Sequence, residues 1–331
     1  MRAVVVHEFG PIERHKLEDV PDPVPKDDEV LIDVHAIGLN FPDTLMLQGL
    51  YQTKPARPFV PGRDAAGVIT ATGSKVTRFK PGDRVMTQVV HGAYAEKLAS
   101  PENRVFAMPA SLDFVTAAGM VTAYNTAYVA VALRANAKAG QTVLITGASG
   151  GVGLAMVEVA KALGATVLAG ATSRAKGDLA IAHGADHWID LGIEDPHSGV
   201  RDQVTAITGD ALCNAVIDVV GGNVFDACMR CVGYAGCMVI VGFATLDISM
   251  PKGHYILLKN ISVIGAPLDI VLRNQPEDIH HGMSRMIEWL EAGALRPEIT
   301  ATYPLDDIQS ALARFADRSV TGRLVVTTGR D

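Results

Sequence analysis

The sequence is short of cysteine, of aromatic side chains and of positive charge, and each shortage removes a class of protein. Four cysteines in 331 residues cannot build a disulfide framework, so the chain suits a reducing compartment, most simply the cytoplasm. Cys213, Cys228, Cys231 and Cys237 also make a poor metal set. Cys228-x-x-Cys231 has redox or zinc spacing, but it falls inside an expected helix, 224–232, with no second pair and no matched histidine. Buried packing thiols are the expectation. Lys and Arg total 29 against 36 Asp and Glu, a net charge of −7, which argues against nucleic acid or an anionic membrane as partner. The most apolar window, 231–246, is too short and glycine-rich to span a bilayer and reads as a buried strand. Met1-Arg2-Ala3-Val4-Val5-Val6 reads as a first strand, not a leader peptide. The ten histidines form no ligand cluster: His280 and His281 face different sides of a helix, and His183 and His187 flank a connection. Solvated or packing roles are expected for them.

What remains is an ordinary globular composition, 48% hydrophobic and 20% charged, in a chain long enough for two domains with separate cores. The organising stretch is 141–164, QTVLITGASGGVGLAMVEVAKALG. Its β-branched and aliphatic run Thr142–Thr146 has the pattern of a strand buried on both faces. Gly147, Gly150 and Gly153 follow at G-x-x-G-x-x-G spacing. Val152, Met156, Val159, Ala160 and Leu163 then recur at three- and four-residue steps, one apolar helical face that ends at Gly164. Such a turn brings the backbone close to a pyrophosphate, with the helix N-terminus offering N–H groups and a positive dipole end. Ser149, Gly150, Gly151 and Val152 are the expected donors. A second strand, Thr166–Ala171, completes the context for dinucleotide binding.

The end of that second strand bears on which dinucleotide is bound. An NAD site usually places an acid there for the ribose 2′-OH. Here Thr172-Ser173-Arg174-Ala175-Lys176 carries none before Asp178, and Ser173, Arg174 and Lys176 suit a 2′-phosphate. The expected cofactor is NADPH.

Around this stretch the chain changes texture twice. Its first hundred-odd residues read as strands and Pro/Gly turns, at 29–37, 64–72, from Pro81 through Val85, 92–98 and 104–108, a barrel-like β module. A helix covers 117–133. Six strands then alternate with amphipathic segments, at 142–146, 166–171, 186–190, 214–220, 237–242 and 261–265, the rhythm of a doubly wound parallel sheet. After Gly265 come a helix at 277–292, a strand at 299–303, a helix at 306–316 and a strand at 323–327. The tail is expected to rejoin the first module, giving a discontinuous domain of 1–121 with 266–331 around a nucleotide domain of 122–265.

Several segments in order resemble a known family. They are Val30-Leu31-Ile32-Asp33-Val34-His35-Ala36-Ile37-Gly38-Leu39-Asn40-Phe41-Pro42-Asp43, Pro61-Gly62-Arg63-Asp64-Ala65-Ala66-Gly67, Lys80-Pro81-Gly82-Asp83-Arg84-Val85, Thr122-Ala123-Tyr124, Gly147 to Gly153, Leu257-Leu258-Lys259-Asn260 and Thr321-Gly322-Arg323-Leu324. Together they resemble the zinc-independent quinone oxidoreductases of the medium-chain dehydrogenase/reductase superfamily. The resemblance implies an α/β fold, a GroES-like catalytic domain plus a Rossmann domain, with reduction of a quinone or α,β-unsaturated carbonyl by NADPH. It also implies a homodimer formed through the last Rossmann strand. Zinc-dependent relatives have Cys where Asn40 stands and Gly-His-Glu where this chain has Gly62-Arg63-Asp64, so no zinc is expected.

The resemblance also assigns roles. Asn40 falls near the nicotinamide, where an amide would bind the carboxamide or a substrate oxygen. Asp43 divides between capping the next helix and catalysis. Tyr51 matches a proton-donating tyrosine of enoyl-thioester reductases, set in a similar Gly-x-Tyr loop, and is equally an exposed loop aromatic. Thr122 matches a nicotinamide contact or else caps a helix. Gly242, Phe243 and Ala244 would border a ribose, and the run from Val263 through Gly265 leads toward the nicotinamide. Arg323 would reach the 2′-phosphate or substrate, with a surface ion pair as the simpler expectation. Two alternatives to quinone reduction stand beside it: an enoyl-thioester reductase with Tyr51 as proton donor, and a protein that binds NADPH without turnover.

Overall fold

The structure, a computed structural model, describes residues 1–315 and 320–330. The chain divides into two compact units, Met1–Thr122 with the segment from Pro297 onward, and Ala123–Arg296.

In the first unit the longest strand, Glu29–Gly38, is central. Val30, Ile32, Val34 and Ala36 are fully buried while Leu31, Asp33 and His35 are half-buried, the period-two alternation read from the sequence. It pairs antiparallel with Asp64–Thr72, Lys97–Pro101 and Arg323–Thr327. Arg84–Gln88 and Val105–Ala107 extend the sheet on one side and Ile299–Pro304 on the other. Because Arg323–Thr327 lies against the central strand, with Val326 opposite Ile37, the end of the chain completes the domain that its beginning starts. Val30, Ile32, Tyr94, Leu324 and Val326 share one core. The strand expected at 92–98 forms only from Lys97. The backbone before it turns to bond the 61–62 loop, Tyr94 N to Pro61 O at 2.9 Å and Ala93 N to Gly62 O at 3.2 Å. The helix expected at 306–316 is a 3-10 turn, Leu305–Asp307, followed by Ile308–Ala313; Ala316 lies outside the described residues.

The second unit is a six-stranded parallel sheet: Thr142–Thr146, Thr166–Ala171, His187–Asp190, Cys213–Asp218, Val232–Ile240 and Ser262–Gly265. Numbered along the chain, these strands lie in the order 3-2-1-4-5-6, the doubly wound arrangement that reverses direction between strands 1 and 4. The fifth strand starts at Val232, earlier than the sequence indicates. Val232 pairs with Cys213, a bulge follows, and regular pairing resumes at Cys237. Within that bulge Gly233 and Gly236 lie so close to the backbone of strand 4 that a Cβ would sit 2.2 Å from Ala211 O and 2.7 Å from Asn214 O. The helices Leu268–Asn274 and Pro276–Glu291 belong to this unit, not to the first as the sequence reading had it. A Cβ on Gly282 would lie 2.4 Å from the Tyr128 ring, and Ile279, Met283 and Met286 are buried, so this helix is fixed against its own domain and the return comes only at Pro297.

Among the described residues one helix meets the length and apolarity of a membrane span, Phe114–Arg134 and not 231–246, and 78% of its most apolar window is buried, as in a core helix. Its last turns, Tyr128–Arg134, are π-helical. Cys213, Cys228 and Cys231 are buried in the sheet domain's core. Burial pushes the Cys231 thiol up to about 12, so it stays protonated and packs as a small apolar group.

Candidate active site

In the second unit each glycine of the turn has its own job. Gly147 has φ +61°, and a Cβ there would lie 2.7 Å from Val219 Cγ2. A Cβ on Gly153 would meet Gly147 O at 2.1 Å, so only glycine lets the helix settle onto the strand. Gly150 has nothing nearer than Gly147 O at 3.5 Å and keeps the surface of the turn low. The helix Gly151–Ala162 starts on Gly150 as N-cap, and Leu154 N makes the first helical bond, 2.8 Å to Gly150 O. The N–H groups of Gly151, Val152 and Gly153 precede that bond, the arrangement that receives an anion. Ser149 is buried beside them.

The turn lies where the strand order reverses, and Asp218 at the end of strand 4 braces it. Asp218 is fully buried. Its carboxylate accepts from Thr146 Oγ1 at 2.5 Å and from the N–H groups of Val220 and Gly221 at 3.2 and 2.9 Å. Burial raises its pKa, and those hydrogen bonds oppose the rise. The 242–244 loop is laid over this same edge, Ala244 N bonding Val219 O at 3.0 Å. Gly242 and Phe243 are partly exposed and Ala244 is exposed. Val263 and Gly265 lie on the edge strand, where the Gly265 carbonyl accepts from Arg134 Nε at 2.8 Å. After strand 2, Ser173 caps the helix Arg174–Ala182 through Lys176 N at 3.4 Å. Lys176 is half-exposed. Arg174 is exposed, bonded to Asp178 at 2.7 Å and lying 5.7 Å from the Trp188 ring centre.

In the first unit two of the three predicted catalytic residues, Asn40 and Asp43, belong to a buried polar network. Asn40 precedes the helix Phe41–Leu47. Its Nδ2 donates to Asp64 at 3.1 Å and its Oδ1 accepts from Arg323 Nη1 at 3.0 Å, so both ends of the amide are engaged. Asp64 also accepts from Thr122 Oγ1 at 2.5 Å, Thr122 N at 3.3 Å and Arg323 Nη2 at 3.3 Å. Arg323 donates further to Gly119 O at 2.7 Å. The surface ion pair expected of Arg323 is therefore a buried one, because its strand lies at the centre of the sheet. Thr122 sits inside the helix Phe114–Ala127 and ties it to Asp64 instead of capping it.

Of the two roles the sequence left open for Asp43, the structure shows the capping one. Its Oδ2 accepts the Asn40 N–H at 2.9 Å, a helix-start bond, and the Tyr94 hydroxyl at 2.7 Å. Its Oδ1 is buried without a hydrogen-bond partner. Burial pushes the Asp43 carboxyl up to about 6 despite the Tyr94 bond and the Arg63 charge, with Asp64 adding to the rise. Asp64 too is raised by burial, against the pull of Arg323. Burial and Asp43 hold the Tyr94 phenol well above its usual range. Tyr51 is half-buried, packed on the domain core with the Arg63 guanidinium 5.9 Å from its ring centre, and so is not simply an exposed loop ring.

Sequence reasoning did not assign Arg63, Asp64 and Tyr94 to the site. Asp64 had a signal: an acid opens a strand, Asp-Ala-Ala-Gly-Val-Ile, whose first four residues are all buried, and a buried acid requires a partner. Tyr94 had none, since its bond to Asp43 spans 51 positions.

A parallel sheet with a glycine turn at its switch point, in one chain with a β domain completed by both ends of that chain, defines the two-domain dehydrogenase and reductase architecture. Residues 26–128 match the alcohol dehydrogenase GroES-like domain, and residues 151–288 the zinc-binding dehydrogenase family. Human quinone oxidoreductase is 34% identical over 98% of this chain and 97% of its own. A Nematostella vectensis quinone oxidoreductase-like protein 2 homolog is 34% identical over 91% and 82%. The crystal structure of Escherichia coli quinone oxidoreductase complexed with NADPH superposes with a TM-score of 0.90 at 26% identity, covering 99% of this chain and 100% of that one. The chain belongs to the quinone oxidoreductase family of the medium-chain dehydrogenase/reductase superfamily.

Proposed function

We propose that the protein is an NADPH-dependent, zinc-free reductase that delivers a hydride to a quinone or an α,β-unsaturated carbonyl. The observation that carries the cofactor is the end of strand 2, where an exposed Arg174 and Ser173 stand and no carboxylate precedes Asp178. NADPH, when bound, supplies the hydride. The chain's part is to hold the pyrophosphate on the N–H groups of the 149–153 turn, to bracket the 2′-phosphate with Ser173, Arg174 and Lys176, and to position the acceptor. The relatives named quinone oxidoreductase, and the one complexed with NADPH, support this reading.

The residues at the family's zinc positions do not suit the metal. Asn40, Arg63 and Asp64 offer neither thiolate nor imidazole, and Asn40 and Asp64 already bind a guanidinium. No group of three or more His, Cys, Asp or Glu among the described residues is placed to hold a metal. Asn40, Asp43 and Thr122 are read as the structural back of the acceptor site, with Arg323 as their counter-ion. An enoyl-thioester reductase is the second reading, favoured by the packed Tyr51 beside Arg63. A homodimer is supported by the exposed edge strand Ser262–Gly265 and by Leu257 and Leu258, 80% and 78% exposed on the helix that leads into it. Free thiols support a cytoplasmic setting.

Steady-state oxidation of NADPH and NADH with a panel of quinones, enones and enoyl-thioesters tests the proposal. Turnover with quinones or enones and a preference for NADPH are expected. NADPH binding without turnover would leave a binding protein, and activity that needs stoichiometric zinc would overturn the metal reading.

A further inference from the structure

At the opposite, N-terminal ends of the parallel strands the sheet domain holds a cavity of about 240 Å³ that the proposed reaction does not use. Arg134, Asn136, Lys138, Gln141, Asn214 and Ala235 are among its lining residues, together with Ser262 and Ile264 of the edge strand proposed for the dimer contact, and no acidic residue among the described ones lines it. The hydrogen bonds around it set the polarity of its wall. Asn214 Oδ1 accepts from Thr142 N at 2.9 Å, and Gln141 Oε1 accepts from Lys138 N at 2.9 Å. With both amide oxygens engaged, each side chain has its NH₂ group left to donate. Arg134 Nε is fixed on Gly265 O at 2.8 Å, which leaves the two terminal nitrogens of its fork. Among the described residues neither Arg134 nor Lys138 pairs with a carboxylate. Two cations and two amide NH₂ groups therefore line one small space with no anion to meet them.

The backbone is shaped around the same space. The wide π-helical turns close with Ala135 N on Ala130 O and Ala137 N on Val131 O, at 2.9 and 3.0 Å. They bring Arg134 to the rim, and π-turns recur at functional positions. Asn136 and Ala235 adopt left-handed conformations, φ +49° and +56°, and for alanine this is an outlier that surrounding structure must hold in place.

We propose that this cavity binds a small oxyanion, a phosphate or carboxylate group, at a site separate from the dinucleotide turn. Arg134 would grip it through its fork, Lys138 as a point charge, and the two amides by donation.

Isothermal titration at constant ionic strength, on protein saturated with NADPH so that the dinucleotide turn is occupied, with inorganic phosphate in one arm and succinate in the other, tests this. The wild-type protein should bind at least one of the two, and the tighter one identifies the group. Lys138→Gln, a change at an exposed side chain, should weaken binding by about tenfold, the worth of one charge-assisted hydrogen bond. Arg134→Gln/Lys138→Gln should abolish it. Lys80→Gln, at an exposed lysine of the β domain, should leave it unchanged. Absence of binding to the wild type, or binding that survives the double substitution, overturns the proposal, as does loss through Lys80→Gln alone. Light scattering on the same samples guards against a subunit contact: a double variant that loses both the anion and the wild-type mass assigns the two cations to that contact and also refutes the site.

Discussion

Asp43→Asn should make the protein's stability less dependent on pH. In the folded chain burial pushes this carboxyl up to about 6, against about 3.9 in an unfolded chain. For an acid raised by folding, the folded state holds its proton where the unfolded state has released it. The group's contribution is thus favourable at low pH and is lost as pH rises through 6. Two units at 1.36 kcal/mol each make that loss about 3 kcal/mol between pH 3, below the unfolded value, and pH 7. An asparagine keeps one oxygen to accept from Tyr94 and Asn40. It places its NH₂ where Oδ1 now lies without a partner, an offset that does not vary with pH. Urea unfolding of both proteins, followed by tryptophan fluorescence from pH 4.5 to 8, should give a stability difference that swings toward the variant by about 2 kcal/mol as pH rises, the rest being already lost below pH 4.5. A difference constant across that range would refute the reasoning, because it would place the Asp43 pKa at its ordinary value. If Asp43 also handles a proton in turnover, kcat of the wild type should show an inflection near 6 that the variant lacks.

Three further outcomes are expected. Arg174→Glu should weaken NADPH far more than NADH, by at least the 1.5–3 kcal/mol or so of a charge-assisted hydrogen bond; equal losses for both would remove Arg174 as the discriminator. Tyr51→Phe should lower kcat with quinones only slightly, whereas an enoyl-thioester reductase should lose roughly 10²–10⁴-fold with its substrate while still binding NADPH. A large loss confined to quinones would contradict that division. Arg323→Met should destabilise the protein by about 3–5 kcal/mol by leaving Asp64 charged and buried, and Asp64→Asn/Arg323→Met should recover part of it; a single variant within about 1 kcal/mol of wild type would show that the pair contributes little.

The sheet domain was the more legible half because its signals are local. Thr142–Thr146 and Thr166–Ala171 fall where their apolar runs end, and the glycine spacing reports a turn whose geometry only glycine allows. The errors came where distant backbone decides. Strand 5 begins at Val232 because strand 4 offers a partner across a bulge, and Pro276–Glu291 stays with the sheet domain because Gly282 meets Tyr128, which no periodicity reports. His183, expected to be solvated or packed, is buried with Nδ1 2.6 Å from Glu158. In the β domain, the sequence supplies the identity of Asn40 and Asp43 but not the 283-residue separation across which Arg323 reaches Asn40.

On the proposed zinc-free reading, that long-range contact also explains how the β domain would do without a metal. Where zinc-dependent relatives gather a thiolate, an imidazole and a carboxylate, this chain sets an amide and a carboxylate around Arg323. The guanidinium meets the charge of Asp64 from inside the fold, and with Gly119 O also bound to it it is fixed in place. Arg323 balances charge but its Nε and both terminal nitrogens are already donating, so on the proposed reading it offers little polarisation to a substrate carbonyl. An acceptor suited to such a site is one whose reduction needs little Lewis-acid help. A quinone meets that condition, because hydride addition yields an aromatic hydroquinone anion that solvent can protonate. A simple ketone does not, since its alkoxide needs a cation or a strong donor as it forms. The substitution of Asn40, Arg63 and Asp64 for metal ligands thus bears on substrate class as well as metal content.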